Sequence, residues 1–126
     1  MAGLGGDDFI FAGDGDDEIY GDAGNDELQG GRGSDLIFGG ADDDKVFADD
    51  GDDELYGGDG EDNLQGGTGS DLIYGGLGDD KLFGQNGDDV LSGDGGDDQL
   101  TGGLGDDVFV IDTGKADVWT GDGQDN

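Results

Sequence analysis

One feature limits what this chain can become more than any other: it repeats itself every nine residues. Rows of nine from Gly3 read GLGGDDFIF, AGDGDDEIY, GDAGNDELQ, GGRGSDLIF, GGADDDKVF, ADDGDDELY, GGDGEDNLQ, GGTGSDLIY, GGLGDDKLF, GQNGDDVLS, GDGGDDQLT and GGLGDDVFV, twelve rows to Val110 with no insertion. The sixth column is Asp in every row, and the fourth is Gly in all but the row holding Asp42. The eighth is always large and apolar, from Ile10 through Leu64 to Phe109. A longer period overlies the first, because Ala12–Phe47 and Ala48–Phe83 agree at 25 of 36 positions. Such self-similarity marks a repeat architecture rather than a globular domain.

Each row divides into a short strand at columns seven to nine, with its middle side chain inward, and a glycine-rich turn at columns one to six. A single inward residue per strand cannot build an ordinary core. It can build an all-β solenoid whose strands alternate between two parallel sheets, with 18 residues per turn and roughly 30–35 Å of rod for about seven turns. The expected organisation is a roll over residues 3–110 and a degenerate end over 111–126.

Composition tests this reading. The 126 residues include 33 Gly and 35 Asp plus Glu against four basic residues, for a net charge of −31, and only 30 % are apolar. Bulk composition of this kind describes a disordered chain, so only its periodic arrangement allows a fold. The charge repels nucleic acid, anionic lipid and phosphate, and it favours cations. With no Cys and no His, disulfides, zinc sites and the usual nucleophilic pairs are excluded. No apolar run has membrane-spanning length, and the first residues carry no Sec-type signal pattern.

The row Gly66-Gly67-Thr68-Gly69-Ser70-Asp71-Leu72-Ile73-Tyr74 resembles the nonapeptide of the RTX (repeats-in-toxin) haemolysin-type family, and the resemblance covers Gly3–Val110. It implies a parallel β-roll holding Ca²⁺ between turns stacked on one side. It also implies type I secretion, in which the chain crosses unfolded at low cytosolic calcium and folds outside the bacterium, secreted or attached to its surface.

Calcium takes six to eight oxygens and mixes carboxylates with carbonyls. The expected side-chain ligands are Asp8, Asp26, Asp44, Asp62, Asp80 and Asp98 on one edge, and Asp17, Asp35, Asp53, Asp71, Asp89 and Asp107 on the other. Backbone carbonyls are expected from Gly6, Gly15, Gly24, Gly33, Gly51, Gly60, Gly69, Gly78, Gly87, Gly96 and Gly105. Six loops per edge leave five gaps, hence about ten ions, and ten dications reduce a charge of −31 to about −11. Stacked carboxylates about 5 Å apart would otherwise repel, so the ion-free chain is expected to be unfolded. The competing reading is a solvated acidic face. The constancy of column six argues against it, whereas column five, drifting through Asp, Asn, Ser and Glu, is taken as such a face.

Departures have consequences. Asp42 is expected to strain or alter its site, while column two, broken by Leu4, Asp22, Asp49, Gln85 and Asp94, is expected to be more tolerant. A thirteenth row counted as Ile111–Trp119 would keep Gly114 and put Val118 in the core column, but has Ala116 where Asp belongs. Asp125 restarts the pattern. Calcium binding is therefore expected to weaken after Asp107.

Outward columns place Tyr20, Phe38, Tyr56 and Tyr74 in one ladder on the even-row sheet. It suits cross-strand stacking, with weak self-association or a glycan or protein contact as the other uses. Three functions compete: a calcium-responsive folding module, a stiff spacer of an adhesin or surface-layer protein, and a carboxylate hydrolase. The repeated loop offers no singular acid–base constellation, which opposes the third.

Overall fold

Every strand of the roll follows from a column-eight side chain that must leave water. The computed structural model describes residues 1–110 and 118–121. Its strands are β1 Phe9–Asp14, β2 Glu18–Ala23, β3 Glu27–Arg32, β4 Leu36–Ala41, β5 Lys45–Asp50, β6 Glu54–Asp59, β7 Asn63–Thr68, β8 Leu72–Leu77, β9 Lys81–Asn86, β10 Val90–Gly95, β11 Gln99–Leu104, β12 Val108–Val110 and β13 Val118–Thr120. Odd strands form one parallel sheet in the order β1-β3-β5-β7-β9-β11-β13, and even strands form the other, β12-β10-β8-β6-β4-β2. Partners lie 18 residues apart, as in Leu28↔Val46 and Ile37↔Leu55. This is the β-solenoid that the period predicts. Among the described residues no helix is long and apolar enough to cross a membrane.

Between the sheets Ile19, Leu28, Ile37, Val46, Leu55, Leu64, Ile73, Leu82, Leu91 and Leu100 are fully buried, while Ile10 and Phe109 close the stack half-buried. Each such burial contributes about 1.5–3 kcal/mol. Among the described residues the core is a single zipper with no second apolar layer.

Strand length differs from the sequence expectation. Full-length strands have six residues, running from column seven through column three of the next row, and only columns four to six turn. Column one therefore points inward as well, two residues after column eight; Gly57, Gly66 and Ala48 are buried there. Column two is also less tolerant than expected. Gln85 has φ 80° and Asp49 φ 76°, in the left-handed region where a Cβ is strained. Asp42, in the glycine column, has φ 77°, against 123–149° at Gly24, Gly33, Gly51 and Gly60. Its N–H does not make the bond to the column-three carbonyl one turn on that those four glycines make, so this loop is altered as expected. Its strain is borne locally, because Asp tolerates this region better than most residues.

The thirteenth row is one residue longer than counted. β13 pairs with Val118 opposite Gln99 and Trp119 opposite Leu100, so Trp119, not Val118, aligns with the core column. Gly114, Ala116 and Asp125 lie outside the described residues.

At Gly69 (φ 126°) an added Cβ would stand 1.8 Å from the Gly51 carbonyl oxygen. Gly69→Ala is expected to destabilise the folded roll by about 2–4 kcal/mol, through left-handed strain plus this collision. Asp42→Gly should stabilise it by about 1 kcal/mol by releasing strain alone. Denaturant titration at saturating calcium checks both signs.

Candidate metal sites

Each column-six aspartate ends a loop and precedes a strand, which carries its side chain in towards the neighbouring turn. Asp8 and Asp17, at the N-terminal end, are half-buried, and the ten from Asp26 to Asp107 are buried. The fold assembles them into the two files expected. Within a file one carboxylate oxygen is used the same way throughout: Oδ1 of each Asp accepts the backbone N–H of the Asp 18 residues earlier. Asp26 accepts from Asp8, Asp44 from Asp26, and Asp53 from Asp35, and all ten such bonds measure 2.7–2.9 Å. Each interior aspartate thus touches two turns.

The second oxygen has no such partner. Oδ2 of Asp8, Asp26, Asp35, Asp44, Asp53, Asp62, Asp71, Asp80 and Asp89 is shielded from solvent and receives no hydrogen bond. An anionic oxygen in that state is costly unless a cation meets it. Burial, only partly offset by the N–H bond to Oδ1, pushes the carboxyls of Asp44, Asp71 and Asp80 up to about 7. Those of Asp53, Asp62 and Asp89 rise to about 6 for the same reason. Neighbouring carboxylates add to the rise in each case.

The orphaned oxygens face a recess kept open by column-one glycine. At Gly21 the position of a Cβ lies 2.4 Å from both Asp26 Oδ2 and the Gly39 carbonyl oxygen. At Gly57 the corresponding distances are 2.3 Å to Asp62 Oδ2 and 2.5 Å to the Gly75 carbonyl. Ala48 shows that one buried row admits a methyl group here.

Other carbonyls point along the roll. The column-four carbonyls expected from sequence do so: Gly15 oxygen lies 2.2 Å from the Cβ position of Gly33, and Gly33 oxygen 1.7 Å from that of Gly51. The Asp42 carbonyl is aimed alike, 2.2 Å from the Cβ position of Gly60, so the altered backbone at this loop still leaves its carbonyl in line with the others. Column two was missed by the sequence reading. Its carbonyls, such as Gly13 oxygen 2.0 Å from the Cβ position of Gly31, face the next turn in the same sense. The Gly-Gly doublet opening half of the rows was the signal for it.

All these donors are oxygen, hard and partly anionic, which suits calcium and not a thiophilic metal. Among the described residues no three carboxylates converge on one point. An ion between turns would therefore draw on carbonyls as much as on carboxylates, which is calcium's habit. Four copies of a family model, the RTX calcium-binding nonapeptide repeat, match residues 1–28, 20–55, 56–91 and 74–109. No curated protein matches the chain.

The raised carboxyls determine how the ion-free roll responds to pH. A carboxyl that is harder to ionise when folded stabilises the fold below its unfolded value of about 4, and that contribution is lost as pH rises through the folded value. In chelator, β-structure should be strongest near pH 4 and should disappear between about 4 and 7, the upper limit set by Asp44, Asp71 and Asp80. Saturating calcium should abolish this loss at neutral pH. Circular dichroism across pH, with and without calcium, reads both.

Proposed function

We propose, for a chain that belongs to the RTX calcium-binding nonapeptide-repeat family, that calcium is the agent that folds it. The observation that carries this reading is the file of buried carboxylate oxygens without a hydrogen-bond donor. The twelve aspartates from Asp8 to Asp107 supply the side-chain oxygens. Carbonyls of columns two and four from one turn, and of column one from the next, complete each set. Five gaps on each edge accommodate about ten ions. Residues 3–110 form the calcium-binding unit, and 111–126 form its degenerate end.

The same chemistry makes the module a sensor of compartment. At low calcium the files repel and the glycine-rich chain stays open; at high calcium it closes. That dependence fits a chain exported unfolded by a type I route and folded outside the cell. RTX repeats are a structural calcium-binding module rather than a catalytic family, and one loop repeated along a rod offers no unique acid, base and nucleophile. The unbroken pairing from β1 to β11 and from β2 to β12 also favours a second use, as a calcium-stiffened spacer in an adhesin or surface-layer protein.

The aromatic ladder is read as structural. Tyr20, Phe38, Tyr56 and Tyr74 stack with centroids 4.9–5.1 Å apart and planes within 10°. Their faces cover one another, which leaves ring edges for a partner, whereas a sugar would need a face. Contact with a glycan, a protein or a second copy through this ladder should be weak. Replacing all four residues with Ser should lower stability by about 2–4 kcal/mol and leave glycan-array binding and oligomeric state unchanged.

Equilibrium dialysis should count about ten Ca²⁺ per chain, with cooperative gain of β-signal over the same calcium range. Magnesium should substitute poorly, because it demands small octahedral sites. Asp53→Ala should weaken the two gaps flanking its loop and lower the count by about two. A count of two or three in the unmodified chain would mean that most of these buried carboxylates are compensated by something other than calcium.

A further inference from the structure

Column five, taken from sequence as a solvated face, shows a regular contact with a sharp residue requirement. On one edge Oδ1 of Asp16, Asp52 and Asp88 accepts the N–H of Ser34, Ser70 and Asp106, 18 residues later, at 2.8–2.9 Å. On the other edge Asp7, Asn25, Asp43 and Asp79 do the same for Asn25, Asp43, Glu61 and Asp97, at 2.9–3.1 Å. The contact runs opposite to that of column six. A column-six carboxylate reaches back to the preceding turn; a column-five oxygen reaches forward to the next.

Where column five is Ser or Glu the oxygen is missing from that place. A Cβ at Gly33, Gly69 or Gly105 would find the Oδ1 of Asp16, Asp52 or Asp88 within 2.9–3.1 Å. A Cβ at Gly51 or Gly87, one turn above Ser34 and Ser70 on the same edge, meets neither of those side chains. On the other edge Glu61 is not among the residues that accept the N–H one turn on. Geometry accounts for the selectivity. An Asp or Asn oxygen sits at the reach needed to cap a backbone N–H, a serine hydroxyl falls short, and the extra methylene of glutamate carries its carboxylate past. Asn25 does what the aspartates do, so the requirement is for an acceptor and not for charge.

We propose that column-five Asp and Asn are positioning residues, clasps that hold each loop at its spacing over the next, and that the gaps above Ser34, Glu61 and Ser70 are the loosely held ones. The proposal rests on the reading that ions lie between these loops. It gives each gap two opposed side-chain bonds where the clasp is present and one where it is absent. Sites of one apparent repeat therefore differ in how tightly they close, and opening begins at the three gaps without clasps.

The test uses the full chain at saturating calcium and measures amide hydrogen exchange by NMR. The N–H groups of Ser34, Glu61 and Ser70, which are clasped, should exchange about three- to tenfold more slowly than those of Asp52, Asp79 and Asp88. Asp52→Asn and Asp52→Ser remove the same charge, so their difference isolates the bond. Asn should retain protection at the Ser70 amide, and Ser should lose it by about three- to tenfold and move the calcium midpoint of folding upward relative to Asn. Ser70→Asn should add protection at Asp88. Equal behaviour of the two Asp52 variants, or equal exchange at clasped and unclasped amides, overturns the proposal. Calcium counted on the same samples judges the ion reading separately: ten ions with no exchange contrast would sink the clasp alone.

Discussion

Parallel stacking with an 18-residue repeat places every side chain over its own counterpart, and the rest of the structure follows from that. For apolar groups the arrangement helps. Leu28 over Val46 over Leu64 makes a dry zipper, and Tyr20 over Phe38 over Tyr56 makes a ring stack. For carboxylates the same geometry is hostile, because Asp35, Asp53 and Asp71 are brought into one buried file with nothing positive among them. The charges cannot be spread without breaking the register that buries the core. A cation between turns, as proposed, would remove the conflict, and would do so only in the folded chain.

The glycines serve this geometry in different ways. Column one lacks a Cβ so that an aspartate oxygen and a carbonyl can share the recess, as at Gly21 and Gly57. Columns two and four turn the backbone so that alternate carbonyls look along the rod. Asp42 is held at positive φ without being glycine, so the stacked turns impose a left-handed loop residue and the local residue bears the strain. The core is too thin to enforce this alone. Hydrogen bonds between loops, and the ions proposed to lie there, would supply what a second apolar layer supplies in a larger domain.

The two inter-turn bonds have opposite polarity, column six reaching back and column five reaching forward. A loop in the middle of the roll is thereby gripped from both sides, whereas the first loop of each file, at Asp8 and at Asp17, is gripped by the turn that follows it. Repeat proteins are often treated as a sum of equal units and equal interfaces. Here the units look equal in the columns that define the family and differ in the column that looked least informative.

Much of this molecule was legible without a structure. Column eight, column six, the 18-residue turn and the division into odd and even sheets follow from a period that any stretch of two rows displays, because hydrophobic alternation and turn-forming glycine act locally. The aspartate files were legible for the same reason. Tertiary structure decided what depends on the neighbouring turn: that strands continue through columns one to three, that Oδ1 is bonded while Oδ2 is left for something else, and that an Asp at column five caps an amide where a Ser does not. It also decided that Trp119 and not Val118 stands opposite Leu100, since a single extra residue is invisible until a strand pairs. Each of these is settled between atoms close in space and 18 or 19 residues apart in the chain, where no local rule of sequence reaches.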